Sequence, residues 1–566
     1  VTAVVARPSR QRIGNQREQS VAQVHFRLMV VMLMFVGVTS AIGLRLTYLT
    51  IFADSSGAAN TAEGLIPPRA DIQDRNGVVL AGTIDAWKIG VHPNKIIGDR
   101  DLIAAQLATL MPERSEAEYS AILHSNRKFF YLRHNAMPEL IQRVNAIGEP
   151  GIVFEREPRR YYPQGSLASH IIGWADQDGK AVSGMELALN DKLADPARRS
   201  LPARLSIDSR VQAAMESELA AAMTEFSAIG ATGIVLDVHS GEVIAMASLP
   251  EFDPNAPAHV PLQDLVNKAT LNVYELGSTF KIITMANGIE NGVITSMNKR
   301  YDATEPLHIG RFTIHDDHPQ RRFLDVPETL VYSSNIATAR IADEIGAERQ
   351  QAMFRKLGFD KPVDIELGAR GTPLWPKYWA RVTTMTTAYG HGIAVTPLHL
   401  ASAYAAIANG GVWRPATLLM RDPNHLPAGR RVISPATSAR MRQLMRMVVI
   451  QGTGKKANVS GFRIGGKTGT AEKPEGGGYK RNALVSTFAG VFPMDAPRYV
   501  VLAMLDEPHG TRETGGYATA GMVSAPIVGK IVSRIGPLLG IIPDETRDVD
   551  LADLQGTVWN PKGDHD

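Results

Sequence analysis

Acyl transfer through a serine needs a nucleophile, a base within hydrogen-bond reach, a second proton carrier and donors for the developing oxyanion. The segment YELGSTFKIITMANGIENG supplies the first two. Gly277 permits a tight turn, Ser278 stands where a helix would begin, and Lys281 falls one turn later on the same face. The pair alone says little. A chain of 566 residues should contain about one Ser-x-x-Lys by chance, and Ser125/Lys128 and Ser296/Lys299 also match. Their surroundings differ: Ser125 lies in the charged stretch HSNRK, and Ser296 follows Gly292, past the end of the helical pattern.

Two further motifs follow in order. Ser333-Ser334-Asn335, in VYSSNIATARIA, falls on a turn entering another helix; Lys467-Thr468-Gly469-Thr470, in RIGGKTGTAEK, falls on a strand-like run. Ser-x-x-Lys, Ser-x-Asn and Lys-Thr-Gly, in that order on helix, turn and strand, resemble the motif triplet of penicillin-binding proteins and serine β-lactamases.

Those residues need a frame. LSIDSRVQAAMESELAAAMTEF is an amphipathic helix with Asp208 or Ser209 as its start signal. ATGIVLDV and EVIAMAS follow as strands across His239-Ser240-Gly241, ALVSTFAGVF and RYVVLAMLDE pair across Pro493 to Pro497, and APIVGKIVSRI closes as a helix. Helix, hairpin, helical middle, hairpin and helix predict an α/β (α+β) domain whose antiparallel sheet is covered by helices. Upstream, Asn76-Gly77 reads as a turn before a short strand from Val78 to Leu80. Residues 100–148 read as helical on Leu102, Ile103, Leu107, Leu110, Leu140, Ile141 and Val144. REPRRYYP, from Arg156 to Pro163, reads as a solvated strand or loop tying subdomains together. After Pro543 the chain turns acidic and is expected to be poorly ordered, and the Gly-rich run 476–478 lacks the ending of a phosphate loop.

The frame is preceded by an address. Leu28 to Leu44 carries no charge, and the stretch stays apolar to Leu49 apart from Arg45. At about 1.5 Å per residue its helix is roughly 33 Å long, enough to cross a bilayer core, with Arg45 placed to snorkel. Arg7, Arg10, Arg12, Arg17 and Arg27 precede it against the single acid Glu18. The positive-inside rule therefore puts the N-terminus in the cytoplasm and the remainder across the membrane, as a single-pass anchor rather than a cleaved signal. The formal net charge of +3 divides into +4 on the first 27 residues and −1 on the rest, so the slight basicity is topogenic and gives no nucleic-acid-binding face. With no cysteine the chain has no disulfide, thiol nucleophile or cysteine-ligated metal. His239, His315, His318 and His391 are scattered without zinc-ligand spacing and read as structural.

Over nearly its whole length the sequence resembles the class B penicillin-binding proteins, most closely the division-specific (septal) peptidoglycan D,D-transpeptidases. The likeness is carried by RADIQDRNGVVLA, RRYYPQGSLASHIIGW, GMELALN, TGIVLDVHSGEVIAMAS, GSTFK, FTIHDDHP, SSNIATARIA, YGHGIAVTPLHLASAYAAIANGG, GTGKKA and GGKTGTAEK. It implies a basic cytoplasmic tail over 1–27, a transmembrane helix over 28–49, a non-catalytic pedestal over 50–204, a transpeptidase domain over 205–540 and an acidic tail over 541–566. It implies Ser278 as acylated nucleophile and Lys281 as its base. Ser333 and Asn335 would relay a proton and hold the substrate amide, and Lys467 would shape the local field. Thr468, Gly469 and Thr470 would form the substrate subsite, the two threonines holding the terminal carboxylate, with the Ser278 and Thr470 N–H groups as oxyanion hole. The substrate implied is a D-Ala-D-Ala stem peptide, with β-lactams as covalent inhibitors and no cofactor. A partner glycosyltransferase and other division proteins would meet the anchor and pedestal in the bacterial inner membrane.

Rival readings fit less of the chain. A β-lactamase needs a deacylating Glu site and normally diffuses freely, and a class A synthase needs a glycosyltransferase domain where the pedestal motifs stand. A membrane-anchored β-lactam sensor would carry effector sequence before or between several spans. An elongation-type transpeptidase and an idle scaffold share the motifs.

Overall fold

The computed structural model describes residues 11–51, 69–176, 178–475 and 478–554. The expected linker beyond Ile51, the first ten residues, Gly476-Gly477 and the last part of the acidic tail lie outside these. The chain divides into two units, Val1–Ile66 and Pro67–Asp566.

In the first unit a helix, α1, runs from Gln11 to Ile51. Its segment Val24–Arg45 has a mean hydropathy of 2.0 and none of it is buried in protein, so by length and composition it can cross a membrane. Among the described residues it is the one helix that meets this test.

The second unit begins with two small sheets. Strands β1 (Ile72–Gln73), β2 (Val79–Ile84) and β3 (Trp87–Val91) are followed by helices α2 (Arg100–Leu110) and α3 (Glu116–Leu123), strand β4 (Phe130–Ala136), helix α4 (Pro138–Asn145) and strands β5 (Ile152–Arg156), β6 (Arg159–Tyr161) and β7 (Ala203–Arg204). They form the sheets β6-β2-β1-β7 and β4-β3-β5. The turn at Asn76-Gly77 forms as expected: the Asp74 carboxylate accepts from the Asn76 and Val78 N–H groups at 2.8 Å each, and Gly77 takes φ +88°.

Two expectations for this region need correction. The helical reading of residues 100–148 misses β4, whose Leu132 and Ala136 enter the core with Ile89, Leu107 and Leu123. REPRRYYP is not solvated throughout. Arg160 is buried, and with Arg69 it grips the fully buried Glu186, each ion pair at 2.6 Å. Two guanidiniums, the Ala70 carbonyl as acceptor for Arg160 and Asn190 as acceptor for Arg69 satisfy groups that would be costly alone.

The larger part is one five-stranded sheet with helices on both faces. Helix α5 (Ser209–Glu225) starts at Asp208, whose carboxylate accepts from the Arg210 N–H. Strands β8 (Gly230–Asp237) and β9 (Val243–Leu249) follow. Next come helices α6 (Lys281–Glu290), α7 (Asn335–Ile345), α8 (Pro397–Ala408) and α9 (Pro435–Ile450). Strands β10 (Gly465–Glu475), β11 (Gly478–Phe492) and β12 (Tyr499–Asp506) and helix α10 (Ser524–Leu538) complete it. The order is β10-β11-β12-β8-β9, antiparallel at every junction. Period-two alternation divides the sheet between two cores. Val500, Leu502 and Met504 pack with residues of α6, α8 and α9, whereas Val501, Ala503 and Leu505 pack with Val211, Met215 and Leu219 of α5 and Ile527 and Ile531 of α10.

The acidic segment is ordered through Leu554, contrary to expectation. Arg446 on α9 pairs with Asp548 at 2.6 Å, Arg463 and Arg547 share Asp495 at 2.6 Å each, Arg440 pairs with Asp553, and Leu551 and Leu554 are buried. Basic residues distant in sequence anchor what composition alone marks as a loose tail.

Candidate active site

The Ser-x-x-Lys segment enters α6 through a tight 3-10 turn, Gly277–Phe280. Gly277 has φ +55°, and a Cβ there would stand 2.9 Å from the Thr470 carbonyl oxygen. At Gly469 a Cβ would fall 2.4 Å from the Leu276 carbonyl oxygen. The Ser278 turn and the edge strand β10 thus meet backbone to backbone, which only residues without a side chain permit. The turn is locked from below. Thr279 Oγ1 donates to the Leu276 carbonyl at 2.8 Å, Tyr404 Oη donates to the Thr279 carbonyl at 2.9 Å, and Phe280 packs on Phe354 and Phe359. Ser278 itself is half-buried.

Lys281 points inward and is fully buried. Its Nζ donates to the Ser333 carbonyl and, at 3.1 Å, to Ser333 Oγ. Ser333 can take this place because it adopts a left-handed conformation, φ +58°, between the short helix Val326–Val331 and α7. Such a backbone costs about 1 kcal/mol or more in a non-glycine residue and persists where neighbours dictate it. The dictating neighbour is Asp316, whose carboxylate accepts from Ser334 Oγ at 2.7 Å, the Asn335 N–H at 2.5 Å and the Ile336 N–H at 2.9 Å. A carboxylate at a helix N-terminus is a favourable charge in a favourable place. Asn335 Nδ2 donates to the His315 carbonyl at 2.9 Å.

Lys467, also fully buried, comes from β10, where it stands opposite Ala489 of β11. Its Nζ donates to Ser333 Oγ at 2.9 Å, to the Thr468 carbonyl at 3.2 Å and to Thr468 Oγ1 at 3.3 Å. Ser333 Oγ therefore lies between two lysine amines. Burial lowers both lysines, Lys281 to about 7 and Lys467 well below its ordinary range, and the Lys281 charge further disfavours charging Lys467; Asp316 and Asp317 partly restore the Lys281 proton. Near neutral pH the pair holds one proton more readily than two. An amine of this pair is therefore able to accept a proton near neutral pH.

The sequence triplet thus converges on one point: Lys281, Ser333 and Lys467 are joined by direct hydrogen bonds, with Ser278 one turn before Lys281 and Thr468 and Thr470 on the strand beside it. Among the hydrogen bonds of the described residues, Lys281 Nζ is engaged by Ser333, and none joins it to Ser278. Three contributors were not singled out from the sequence. Asp316 lies within FTIHDDHP, and only its spacing from a distant helix N-terminus would have exposed it. Thr453, in GTGKKA, places Oγ1 2.7 Å from Thr468 Oγ1. Glu275 accepts from the Gly392 N–H at 2.9 Å and from Tyr479 Oη at 3.0 Å, tying the segment before Ser278 to the loop that leads into α8 and to β11. Of the scattered histidines, His391 lies 3.3 Å from Glu275 and His239 contacts the Pro497 carbonyl at 3.0 Å. Among the described residues no group of His, Asp and Glu is arranged to hold a metal ion.

Comparison with known proteins accords with this geometry. Residues 231–533 match the penicillin binding protein transpeptidase domain, and residues 65–194 match the penicillin-binding protein dimerisation domain. The chain is 39% identical over 517 residues to the "Probable peptidoglycan D,D-transpeptidase FtsI" of Caulobacter vibrioides, covering 90% of this chain and 87% of that one. It is 28% identical over 508 residues to the peptidoglycan D,D-transpeptidase FtsI of Escherichia coli K12, covering 84% of each. Among solved structures it superposes on penicillin binding protein 3 of Mycobacterium tuberculosis complexed with aztreonam, with a TM-score of 0.67, 26% identity, and 85% and 98% of the two chains covered. The extent of these matches and the shared domain pair establish that the chain belongs to the penicillin-binding protein transpeptidase family.

Proposed function

We propose that the protein is a serine-type peptidoglycan D,D-transpeptidase of septal cell-wall synthesis, held in the inner membrane by α1 with its catalytic domain outside the cytoplasm and blocked by β-lactams. The observation that carries the chemistry is Ser333 Oγ held between Lys281 and Lys467 at 3.1 and 2.9 Å beside the Ser278 turn. In the reaction Ser278 Oγ attacks the penultimate D-Ala carbonyl and gives its proton to Lys281. The C–N bond to the terminal D-Ala breaks as that amine takes a proton through Ser333, and the peptide is left as an ester on Ser278. An amine from a neighbouring strand then attacks the ester and frees the serine. Asn335 holds the substrate amide, Lys467 stabilises the developing negative charge, and Thr468 and Thr470 hold the terminal carboxylate across Gly469. The N–H groups of Ser278 and Thr470 form the oxyanion hole, a reading supported by the contact of residues 277 and 470.

The pedestal over 50–204 and the transpeptidase domain over 205–540 divide these tasks into support and chemistry. A partner glycosyltransferase and other division proteins meet the anchor and pedestal; family membership and an exposed apolar helix support this, and co-purification with full-length protein from dividing cells tests it. Labelling with a fluorescent penicillin tests the enzymatic reading. A stable adduct is expected on wild type and none on Ser278→Ala. An equal adduct on both, or rapid loss of the wild-type label, would overturn it.

A further inference from the structure

Thr453 occupies a place that its neighbours build with care. Gly452-Thr453-Gly454 closes the end of α9, with the Gly452 and Gly454 N–H groups both donating to the Val448 carbonyl, at 3.0 and 3.1 Å. A Cβ at residue 452 would lie 2.7 Å from the Val331 carbonyl oxygen, and one at 454 would lie 3.2 Å from the Phe488 ring. The loop is thereby clamped on both sides of Thr453. From it Thr453 Oγ1 reaches Thr468 Oγ1 at 2.7 Å, its single hydrogen-bond partner among the described residues.

The count of protons and lone pairs at Thr468 gives this contact its consequence. A hydroxyl has one proton and two lone pairs. Thr468 Oγ1 accepts from Lys467 Nζ at 3.3 Å, and if Thr453 donates the second hydrogen bond, both lone pairs are filled. The Thr468 proton is then left for a third partner. In the opposite sense Thr468 would spend its proton on Thr453 and offer an incoming carboxylate only a lone pair. Thr470 is arranged in the same way: its Oγ1 accepts from the Ala520 N–H at 3.0 Å, which leaves its own proton unspent. The two loops that hold these threonines touch each other, because a Cβ at Gly521 would lie 2.8 Å from the Thr453 carbonyl oxygen.

We infer that Thr453 is a positioning residue that sets acyl-donor specificity: its hydroxyl donates to Thr468 and so reserves the Thr468 proton for the terminal carboxylate of the substrate. The inference rests on the reading in which Thr468 and Thr470 hold that carboxylate. It is tested on the full-length protein by comparing acylation by benzylpenicillin, which bears a carboxylate, with acylation by its methyl ester, which does not. Thr453→Val, which keeps the shape, is expected to lower the second-order rate constant for the acid about tenfold while the ester changes within about twofold, and Thr453→Ser restores the wild-type ratio. An unchanged rate for the acid, or equal losses for acid and ester with a lowered melting temperature, would overturn the role of Thr453. Thr468→Val separates the two levels: it should lose the preference for the acid, and if it slows both compounds alike, the carboxylate assignment itself fails.

Discussion

In the proposed mechanism the neutral fraction of Lys281 is the quantity on which the chemistry turns. An ordinary lysine with a pKa of 10.5 is neutral in about one molecule in 3,000 at pH 7, whereas Lys281, lowered to about 7 by burial, is neutral in about half. Burial thus raises the population of competent base by roughly a thousandfold. The acylation rate constant for a fluorescent penicillin should rise about tenfold per pH unit below pH 7 and level off above pH 8, because the reactive form is the deprotonated amine. The same shift has a stability consequence of definite sign. A lysine whose folded-state pKa is lowered leaves the unfolded chain binding more protons between pH 7 and 10.5, so stability rises with pH across that window. The penalty from this one group falls from about 5 kcal/mol at pH 6 to about 2 kcal/mol at pH 9, taking Lys281 in isolation. Lys281→Met removes the titrating group. It should therefore lose acylation by about a thousandfold and show a stability advantage over wild type that is greatest at pH 6 and shrinks by about 3 kcal/mol by pH 9. Stopped-flow labelling and guanidinium unfolding across this pH range measure the two effects. A flat acylation profile between pH 5.5 and 8.5, or unimpaired acylation of Lys281→Met, would refute the assignment of the base.

Asp316→Asn should slow acylation about tenfold or more and lower stability by about 2 kcal/mol, because the charge-assisted hydrogen bonds that hold Ser334, Asn335 and Ile336 are weakened; labelling kinetics and thermal unfolding measure it. Gly469→Ala should abolish labelling of Ser278 in protein that still folds, since its Cβ would lie 2.4 Å from the Leu276 carbonyl oxygen and push β10 from the nucleophile turn. Arg160→Met should cost about 3 kcal/mol of stability by leaving part of the buried Glu186 charge unpaired, while folded protein acylates at the wild-type rate; chemical denaturation and labelling separate the two.

Much of the frame was legible because it is written in local patterns. Asp208 before an amphipathic run fixes the start of α5, and the nearly unbroken apolar runs of β8 and β12 announce strands with both faces covered. The failures are as instructive. Phe130–Ala136 alternates with the period of a strand but lies between helices, and its pairing with β3 decides the matter. Arg160 looks like a surface charge until Glu186 is brought beside it, and the acidic segment after Pro543 looks loose until Arg446 and Arg463 are brought to it.

By itself the sequence determined the candidate reacting groups and their order: Ser278 one turn before Lys281, Ser333 on a turn, and Lys467 with Thr468 and Thr470 on a strand, behind an apolar helix with a basic flank. These features depend on residue type and short-range periodicity, which a linear pattern records. Only the tertiary structure decided that Ser333 Oγ stands between two lysines, that Asp316 holds its turn, and that Thr453 leans on Thr468. Burial, charge coupling and hydrogen-bond direction depend on distances between segments far apart in the chain, and folding alone sets those distances.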